Sequence, residues 1–194
     1  MKELLLGIDI GTSACKVAIF RKNGEVVAAA NGDYKVYYPK PGYAEQDPDE
    51  WWRAVCKATK ECITKGAVDP SDIAGIGVDG QSWSAIAVDK CGNVLARTPI
   101  WMDNRSSAIC GRLNRKIGED EIFRASGNPL TAQYTTGKVL WYQENRPEVY
   151  QETDKILQSN AFIVYRLTGK ISQDICQSYG WHCFDMERGT WNGD

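Results

Sequence analysis

The chain has 194 residues, of which 43% are hydrophobic and 25% are charged, the composition of a globular protein with one sizeable core. Its formal net charge of −2 gives no electrostatic reason to bind nucleic acid or an anionic membrane. No apolar run approaches the roughly 20 residues of a membrane-spanning helix, and the apolar stretch at the N-terminus is too short for a secretory signal.

The first third of the chain predicts three strands in succession. Residues 4–10 form a near-continuous apolar run, typical of a fully buried central strand, and residues 14–20 alternate more. Asn23 and Gly24 form a two-residue hairpin signal before a third strand. Asp9 is the one charge in the first run, and a buried carboxylate costs several kcal/mol unless a partner meets it. We therefore expect Asp9 to have a specific partner.

A helix is predicted next. Asp47 is a suitable N-cap, Pro48 fits the first helical position, and Glu50 stands where a capping box requires it. Gly66 ends the pattern, and Trp51 is assigned to the packing of this helix. The residues at 3.6-residue spacing, which should face the core, are Trp52, Val55, Cys56, Thr59, Cys62 and Ile63.

The rest of the chain predicts one further buried strand, at 73–80, and a second hairpin at 84–96 that turns at 91–93. Helices are expected near 106–117, 119–125, 136–145 and 160–167, with Pro147 and Gly169 ending the last two. The final stretch, 171–194, predicts two short strands and a turn. This order of elements indicates a mixed α/β domain.

Seven cysteines and one histidine, His182, give no pattern of metal ligands. The cysteine count is odd and no C-x-x-C pair occurs, so a zinc site is not expected. The interpretation is reduced, partly buried thiols in a cytoplasmic protein.

Residues 9–13 combine the parts needed to bind a polyphosphate. Gly11 permits a tight turn whose successive N–H groups can form an anion-binding nest. Thr12 and Ser13 add hydroxyl donors, and Lys16 can reach a phosphate as a point charge. Asp9, at the end of its strand, would hold Mg²⁺, usually through water. The alternative is that Asp9 only caps its own turn.

Four motifs carry a resemblance to the FGGY family of carbohydrate kinases. They are similar in order and spacing to those of its xylulokinase-type members. The motifs are GIDIGTSACKVAIF (7–20), PGYAEQDPDEWW (41–52), IAGIGVDGQSW (73–83) and IWMDNR (100–105). YTTGKVLW (134–141) and SNAFIVYRLTGK (159–170) resemble the family too, so the likeness extends over nearly the whole chain.

The resemblance implies an actin-like ATPase, or ribonuclease H-like, fold with two lobes and a cleft between them. The expected fold class is α/β, with a mixed sheet of three antiparallel strands followed by α/β units. ATP would phosphorylate a sugar hydroxyl in the cleft, with ATP and Mg²⁺ as cofactors. Residues 9–13 would face the ATP phosphates, with Asp9 as the catalytic and metal-binding residue and Lys16 near the transferred phosphoryl group.

The resemblance also implies that the residues after Gly80 contact the sugar. Gln81 offers a donor and an acceptor, Ser82 a hydroxyl, and Trp83 a flat apolar wall. Xylulokinases typically carry Met-His where this chain has Ser82-Trp83. A ketopentose such as xylulose is therefore the first expectation, and the specific sugar is left open.

Trp101, Asp103 and Arg105 are predicted to complete the sugar site as a second wall and two charged groups. The alternative for Trp83 and Trp101 is core packing, because aromatic side chains bury readily. The alternative for Arg105 is an ion pair at the start of a helix.

In this family the catalytic base is an Asp in a GGxD-like segment of a second lobe, and this chain contains no such segment. Residues 1–194 are therefore expected to be the N-terminal lobe of a longer kinase, cut at a polar turn and inactive alone. The expected partners are a sugar and ATP, with no nucleic acid or membrane, and a homodimer is the candidate assembly of the intact protein.

Two alternatives remain open at this stage. An actin- or Hsp70-like nucleotide-switch protein would share the phosphate-binding opening, but it does not explain the motifs AEQDPDEWW and WMDNR. A non-catalytic, sugar-sensing relative would keep the pocket without the chemistry.

Overall fold

The computed structural model describes residues 3–191. The first half of this part contains β1 (Leu4–Ile10), β2 (Ala14–Arg21), β3 (Val26–Asp33), β4 (Glu45–Gln46), α1 (Pro48–Lys65), a 3-10 turn (Pro70–Asp72), β5 (Ile73–Gly80), β6 (Ile86–Val88) and β7 (Thr98–Pro99). The second half contains α2 (Ser107–Ile117), α3 (Glu119–Ser126), α4 (Thr135–Asn145), α5 (Pro147–Glu152), β8 (Lys155–Leu157), α6 (Ser159–Thr168), α7 (Ile175–Ser178), β9 (Phe184–Asp185) and β10 (Thr190–Trp191).

The main sheet has the strand order β3-β2-β1-β5. β1, β2 and β3 are antiparallel neighbours, whereas β5 runs parallel to β1. Helix α1 packs on β2 and β3, and α6 packs on β1 and β5. This confirms the predicted mixed sheet of three antiparallel strands followed by an α/β unit.

The prediction that β1 is fully buried is wrong, because one face of the strand is open among the described residues. Leu6, Ile8 and Ile10 lie in the core, whereas Leu5 is 45% exposed. The Asp9 side chain points to the same open side and is 47% exposed. Alternation of burial along a strand is what one covered face produces.

Helix α1 begins and ends where the sequence predicts. The Asp47 carboxylate accepts the N–H of Asp49 at 2.9 Å, Pro48 stands at N1, and Gly66 caps the end. The predicted capping box is wrong, because Glu50 accepts the hydroxyl of Tyr37 at 2.7 Å instead.

The predicted buried stripe of α1 is also displaced. The buried residues of this helix are Pro48, Trp51, Ala54, Val55, Ala58 and Cys62. Ala54 and Ala58 are small enough for the helix to approach β3 closely: a Cβ on Gly32 would lie 2.7 Å from the Ala54 carbonyl oxygen. The buried face of the helix therefore combines Trp51 with small residues that allow this close contact.

Four predicted helices, α2, α3, α4 and α6, are confirmed, and the second predicted hairpin is confirmed in part: Leu95 N–H donates to the Ala87 carbonyl at 3.0 Å, but the returning residues form no full strand. The chain does turn after β6, where Asp89 N–H donates to the Asn93 carbonyl at 3.0 Å. The returning residues form a single bridge, Val94 with Val88, and the strand partner of β6 is β8.

Pro147 also begins a helix, α5, that was not predicted from the sequence. It ends α4, as expected, but it also occupies the first position of α5. Proline suits that position because its missing N–H would have no helical partner there. In the last stretch, the two short strands are confirmed as β9 and β10, and α7 was not predicted. Residues 192–194 of that stretch lie outside the described part.

All seven cysteines are free thiols. Burial raises the pKa of four of them, Cys15, Cys62, Cys110 and Cys183, so these thiols stay protonated at neutral pH. Within residues 3–191, no helix combines the length and the apolar character needed to cross a bilayer.

Candidate active site

A cleft of about 440 Å³ lies where β1 and β5 end side by side. Because the two strands are parallel, the turns that follow them meet at one edge of the sheet. The Gln81 N–H donates to the Ile10 carbonyl at 2.7 Å and joins the two turns. The residues that line the cleft are Asp9, Gly11, Thr12, Gly80, Gln81, Ser82, Trp83 and Trp101.

The turn after β1 closes on itself. The Gly11 N–H donates to the Ala14 carbonyl at 3.1 Å, and a Cβ on Gly11 would lie 2.9 Å from that same oxygen. Glycine is required here because of this close approach. The Gly11 N–H is used within the turn and does not contribute to the predicted anion nest. The hydroxyls of Thr12 and of the exposed Ser13 remain as donors.

Asp9 lies between two charged groups at the end of the sheet. Lys16 is opposite it on β2, with its Nζ 3.6 Å from an Asp9 carboxylate oxygen. Asp79 is opposite it on β5. The Lys16 side chain is 72% exposed, so this ion pair is solvated and adds little to the stability of the fold. Asp9 is thus free to act on a ligand.

Asp79 was not predicted as a site residue, although the sequence contains a pattern that indicates it. The tripeptides Gly7-Ile8-Asp9 and Gly77-Val78-Asp79 match in residue type and pair in register on adjacent parallel strands. Repetition of a Gly-apolar-Asp pattern at two strand ends could have indicated a pair of carboxylates.

These two carboxylates suit a hydrated Mg²⁺. Mg²⁺ prefers oxygen ligands and keeps several waters, so a site with one or two exposed carboxylates is sufficient. Asp79 uses one oxygen to accept the Gly80 N–H at 2.7 Å, which leaves its other oxygen available. Between residues 3 and 191, no group of three or more acidic, histidine or cysteine side chains is arranged to hold a metal ion.

Gln46 connects the two turns of the cleft. Its side chain is fully buried, and its Nε2 donates to the Thr12 carbonyl at 2.8 Å. Its Oε1 accepts Gln81 Nε2 at 2.7 Å. The Gln81 Oε1 is buried and has no hydrogen-bond partner among the described residues. Gln46 was not singled out from the sequence, although it lies within the AEQDP motif.

Trp83 forms one wall of the cleft in an unusual backbone conformation. Its φ is +66°, in the left-handed region that favours glycine. Its ring packs at 4.6 Å from that of Tyr134 and at 5.7 Å from that of Tyr179. Gly180 lies beneath the indole, and a Cβ there would come within 2.4 Å of Trp83 Cδ1.

Trp101 forms the facing wall. It is 41% exposed, and its indole N–H donates to the Thr12 hydroxyl at 3.0 Å. This geometry disfavours the core-packing alternative for Trp101 and connects the aromatic wall to the phosphate turn.

Asp103 and Arg105 do not line this cleft. Arg105 donates to Asp103 and to Glu45, each at 2.8 Å, and stacks on the rings of Tyr43 and Trp141. Asp103 is fully buried and also accepts the Ala44 N–H at 2.7 Å. The geometry thus favours the ion-pair alternative: the two residues brace β4 against the start of α2.

Comparisons with known proteins agree with this architecture. Residues 4–194 match the profile of the N-terminal domain of the FGGY family of carbohydrate kinases. The chain is 32% identical over 194 residues to a xylulose kinase of Staphylococcus epidermidis, covering all of this chain and 38% of that protein.

Solved structures show the same fold. The xylulose kinase of Rhodospirillum rubrum superposes with a TM-score of 0.93 at 27% identity, over 98% of this chain and 39% of that one. A gluconate kinase of Lactobacillus acidophilus superposes with a TM-score of 0.90 at 28% identity, over 97% of this chain and 38% of that one. The chain therefore spans well under half the length of these relatives.

Proposed function

Since the chain belongs to the FGGY family of carbohydrate kinases, we propose that the intact protein transfers a phosphoryl group from ATP to a sugar hydroxyl, with this chain as its N-terminal lobe. The observation that carries the proposal is the shared cleft. A turn with a carboxylate and hydroxyls, suited to phosphates, and a turn with an amide and an indole, suited to a sugar, face the same space.

On the phosphate side, the Thr12 and Ser13 hydroxyls and the Lys16 ammonium bind phosphate oxygens. Asp9, with Asp79 beside it, holds Mg²⁺ through water. A bound Mg²⁺ would neutralise charge on the phosphates. The proximity of Lys16 to Asp9 keeps both groups at the edge where the transferred phosphoryl group must lie.

On the sugar side, Gln81 and Ser82 line the cleft with polar groups that bind hydroxyls of the sugar. Trp83 and Trp101 provide apolar walls for the faces of the sugar. We propose a ketopentose such as xylulose as the substrate, supported by the likeness to xylulose kinases. The comparable likeness to a gluconate kinase makes a sugar acid the first competitor.

The base that accepts the proton of the attacking hydroxyl is proposed to come from the second lobe. Among the described residues that line the cleft, Asp9 supplies the single carboxylate, and it lies on the phosphate side. The proposal includes a cytoplasmic location and a homodimeric assembly for the intact protein. The family assignment favours a kinase over the nucleotide-switch alternative.

A substrate panel with the intact protein tests the proposal. Xylulose, gluconate and glycerol are incubated separately with ATP and Mg²⁺, and ADP release is measured for each. We expect ADP release that depends on the sugar and is fastest with xylulose. Sugar binding without ADP release would instead identify a sugar-sensing relative, and no response to any sugar or polyol would contradict the kinase reading.

A further inference from the structure

Lys138, on α4, is a fully buried lysine without a carboxylate partner among the described residues. Buried lysines are ordinarily paired with an acid. Asp103 lies near enough to influence its charge, but the carboxylate of Asp103 is bonded to Arg105. The Lys138 side chain therefore makes a different kind of contact.

That contact is with two backbone carbonyls. Lys138 Nζ donates to the Trp83 carbonyl at 2.7 Å and to the Gln133 carbonyl. These carbonyls belong to two separate loops, and each loop carries one ring of an aromatic pair. Trp83 is in one loop, and Tyr134, next to Gln133, is in the other, with their ring centroids 4.6 Å apart.

The Trp83 backbone needs such support. A left-handed φ is unfavourable for a residue with a bulky side chain and persists only where the surroundings hold it. Here the Trp83 N–H is held by Gln158 Oε1 at 2.8 Å, and its carbonyl is held by Lys138. Gln158 is fully buried, so both contacts come from the rigid interior.

We propose that Lys138 is a positioning residue for the sugar: by holding the carbonyls of Trp83 and Gln133, it fixes the Trp83 indole as a wall of the cleft. The inference rests on the proposed function, since it assumes that the cleft binds a sugar. Lys138 itself does not line the cleft, and its effect on the sugar is exerted through Trp83.

The first test measures the Trp83 ring directly in the 194-residue chain, without a sugar. The indole ¹⁵N–H signal of Trp83 is identified by its loss in Trp83→Phe. We expect Lys138→Met, which keeps most of the length of the side chain and removes the donors, to shift or broaden that signal.

The matched control is Tyr142→Phe. Tyr142 is also buried, lies one turn further along α4, and donates its hydroxyl to the Arg97 carbonyl at 3.3 Å. The control therefore removes a buried hydrogen bond to a carbonyl on the same helix without touching either loop, and it should leave the Trp83 signal in place.

The second test uses steady-state kinetics of the intact kinase. Lys138→Met should raise KM for the accepted sugar about tenfold or more, because the loss of a buried bond from a charged donor is expensive. KM for ATP should stay unchanged, and Tyr142→Phe should alter neither constant. An unchanged Trp83 signal together with an unchanged sugar KM would overturn the proposal, whatever happens to the melting temperature.

Two further outcomes also test the proposal: a Lys138→Met variant that does not fold, and an intact protein without activity on any sugar. If Lys138→Met does not fold, the ¹⁵Nζ signal of wild-type Lys138 is followed while sugar is added: it should move on sugar binding, and an unmoved signal at saturation would overturn the proposal. If the intact protein turns over no sugar, the proposed function fails, and the Trp83 indole signal alone decides whether Lys138 holds the ring.

Discussion

Asp9 contributes little to folding and is therefore available for chemistry. Its carboxylate is half exposed, and its ion pair with Lys16 is open to water. Solvated pairs of this kind contribute between zero and about 1 kcal/mol. The sequence predicted a specific partner for Asp9 because a buried carboxylate is unfavourable. In the structure Asp9 lies on the open face of the sheet, where water and ligands reach its carboxylate.

Asp9→Asn in the intact kinase should therefore separate activity from stability. We expect kcat to fall about 100-fold or more, because the metal loses a charged ligand, while the melting temperature stays nearly unchanged. Asp33→Asn is the matched control, since Asp33 is another exposed aspartate at a strand end, outside the cleft. Wild-type turnover by Asp9→Asn would remove the proposed metal role.

The buried amine of Lys138 should make the free energy of unfolding depend on pH. Burial lowers the pKa of Lys138 to about 7, whereas a lysine in an unfolded chain titrates near about 10.4. Between these values unfolding takes up a proton, so the free energy of unfolding should rise with pH. The neutral amine keeps two N–H donors, and both carbonyl contacts survive its deprotonation.

Denaturant unfolding of the wild type and of Lys138→Met, from pH 7 to pH 10, measures this effect. The wild type should gain stability relative to the variant by on the order of 1 kcal/mol per pH unit over this range. Parallel curves for the two proteins would show that Lys138 keeps an ordinary pKa.

At the scale of the elements, local signals predicted helix ends well and strand partners poorly. Asp47 and Gly66 act on the residues next to them, so the bounds of α1 follow from the sequence. The partner of β6 is β8, about 70 residues further along the chain, and no turn signal encodes such a pairing. The buried face of α1 likewise depends on Gly32 of β3, which the spacing of its own residues does not reveal.

The N-cap of α1 provides the test at this scale. Asp47→Ala should lower the free energy of unfolding by about 1 kcal/mol, because the Asp49 N–H loses its acceptor. Lys57→Ala, an exposed site on the same helix, should change it by less than about 0.5 kcal/mol. Equal effects in chemical denaturation would show that the cap does not stabilise the helix.

For the whole molecule, the sequence predicted which turns meet but not which side chains they direct into the cleft. Residues 11–13 and 81–83 follow two strands that lie together, so their proximity follows from the fold. Arg105 was misplaced because its partner Glu45 lies 60 positions away, and a charge pattern does not reveal such a pair. Gln46 and Asp79 were missed because each depends on a neighbouring strand for its role.

The sheet face opposite α1 supports the proposal that the chain is one lobe. Leu5 is exposed there, and Phe20 lies over Gly7, where a Cβ would come within 3.1 Å of the ring. The small residues along this face form a cavity of about 480 Å³ beside Asp9. An open apolar face on a central sheet is suited to packing against further protein.

Activity should accordingly require the longer protein. We expect the 194-residue chain to release no ADP above background with ATP, Mg²⁺ and any sugar of the panel, because catalysis needs a base and a closed cleft. The intact protein, assayed in parallel at the same concentration, is the control. Turnover by the 194-residue chain would show that it supplies its own base.

The buried amide of Gln46 has a geometric consequence for phosphoryl transfer. In-line attack requires the accepting hydroxyl and the phosphorus to be aligned within fractions of an ångström. A single side chain bonded to both Thr12 and Gln81 sets the spacing of the two turns in advance. In the proposed reaction, Gln46 would hold the phosphate-binding turn and the sugar-binding turn at a fixed distance before either reactant binds.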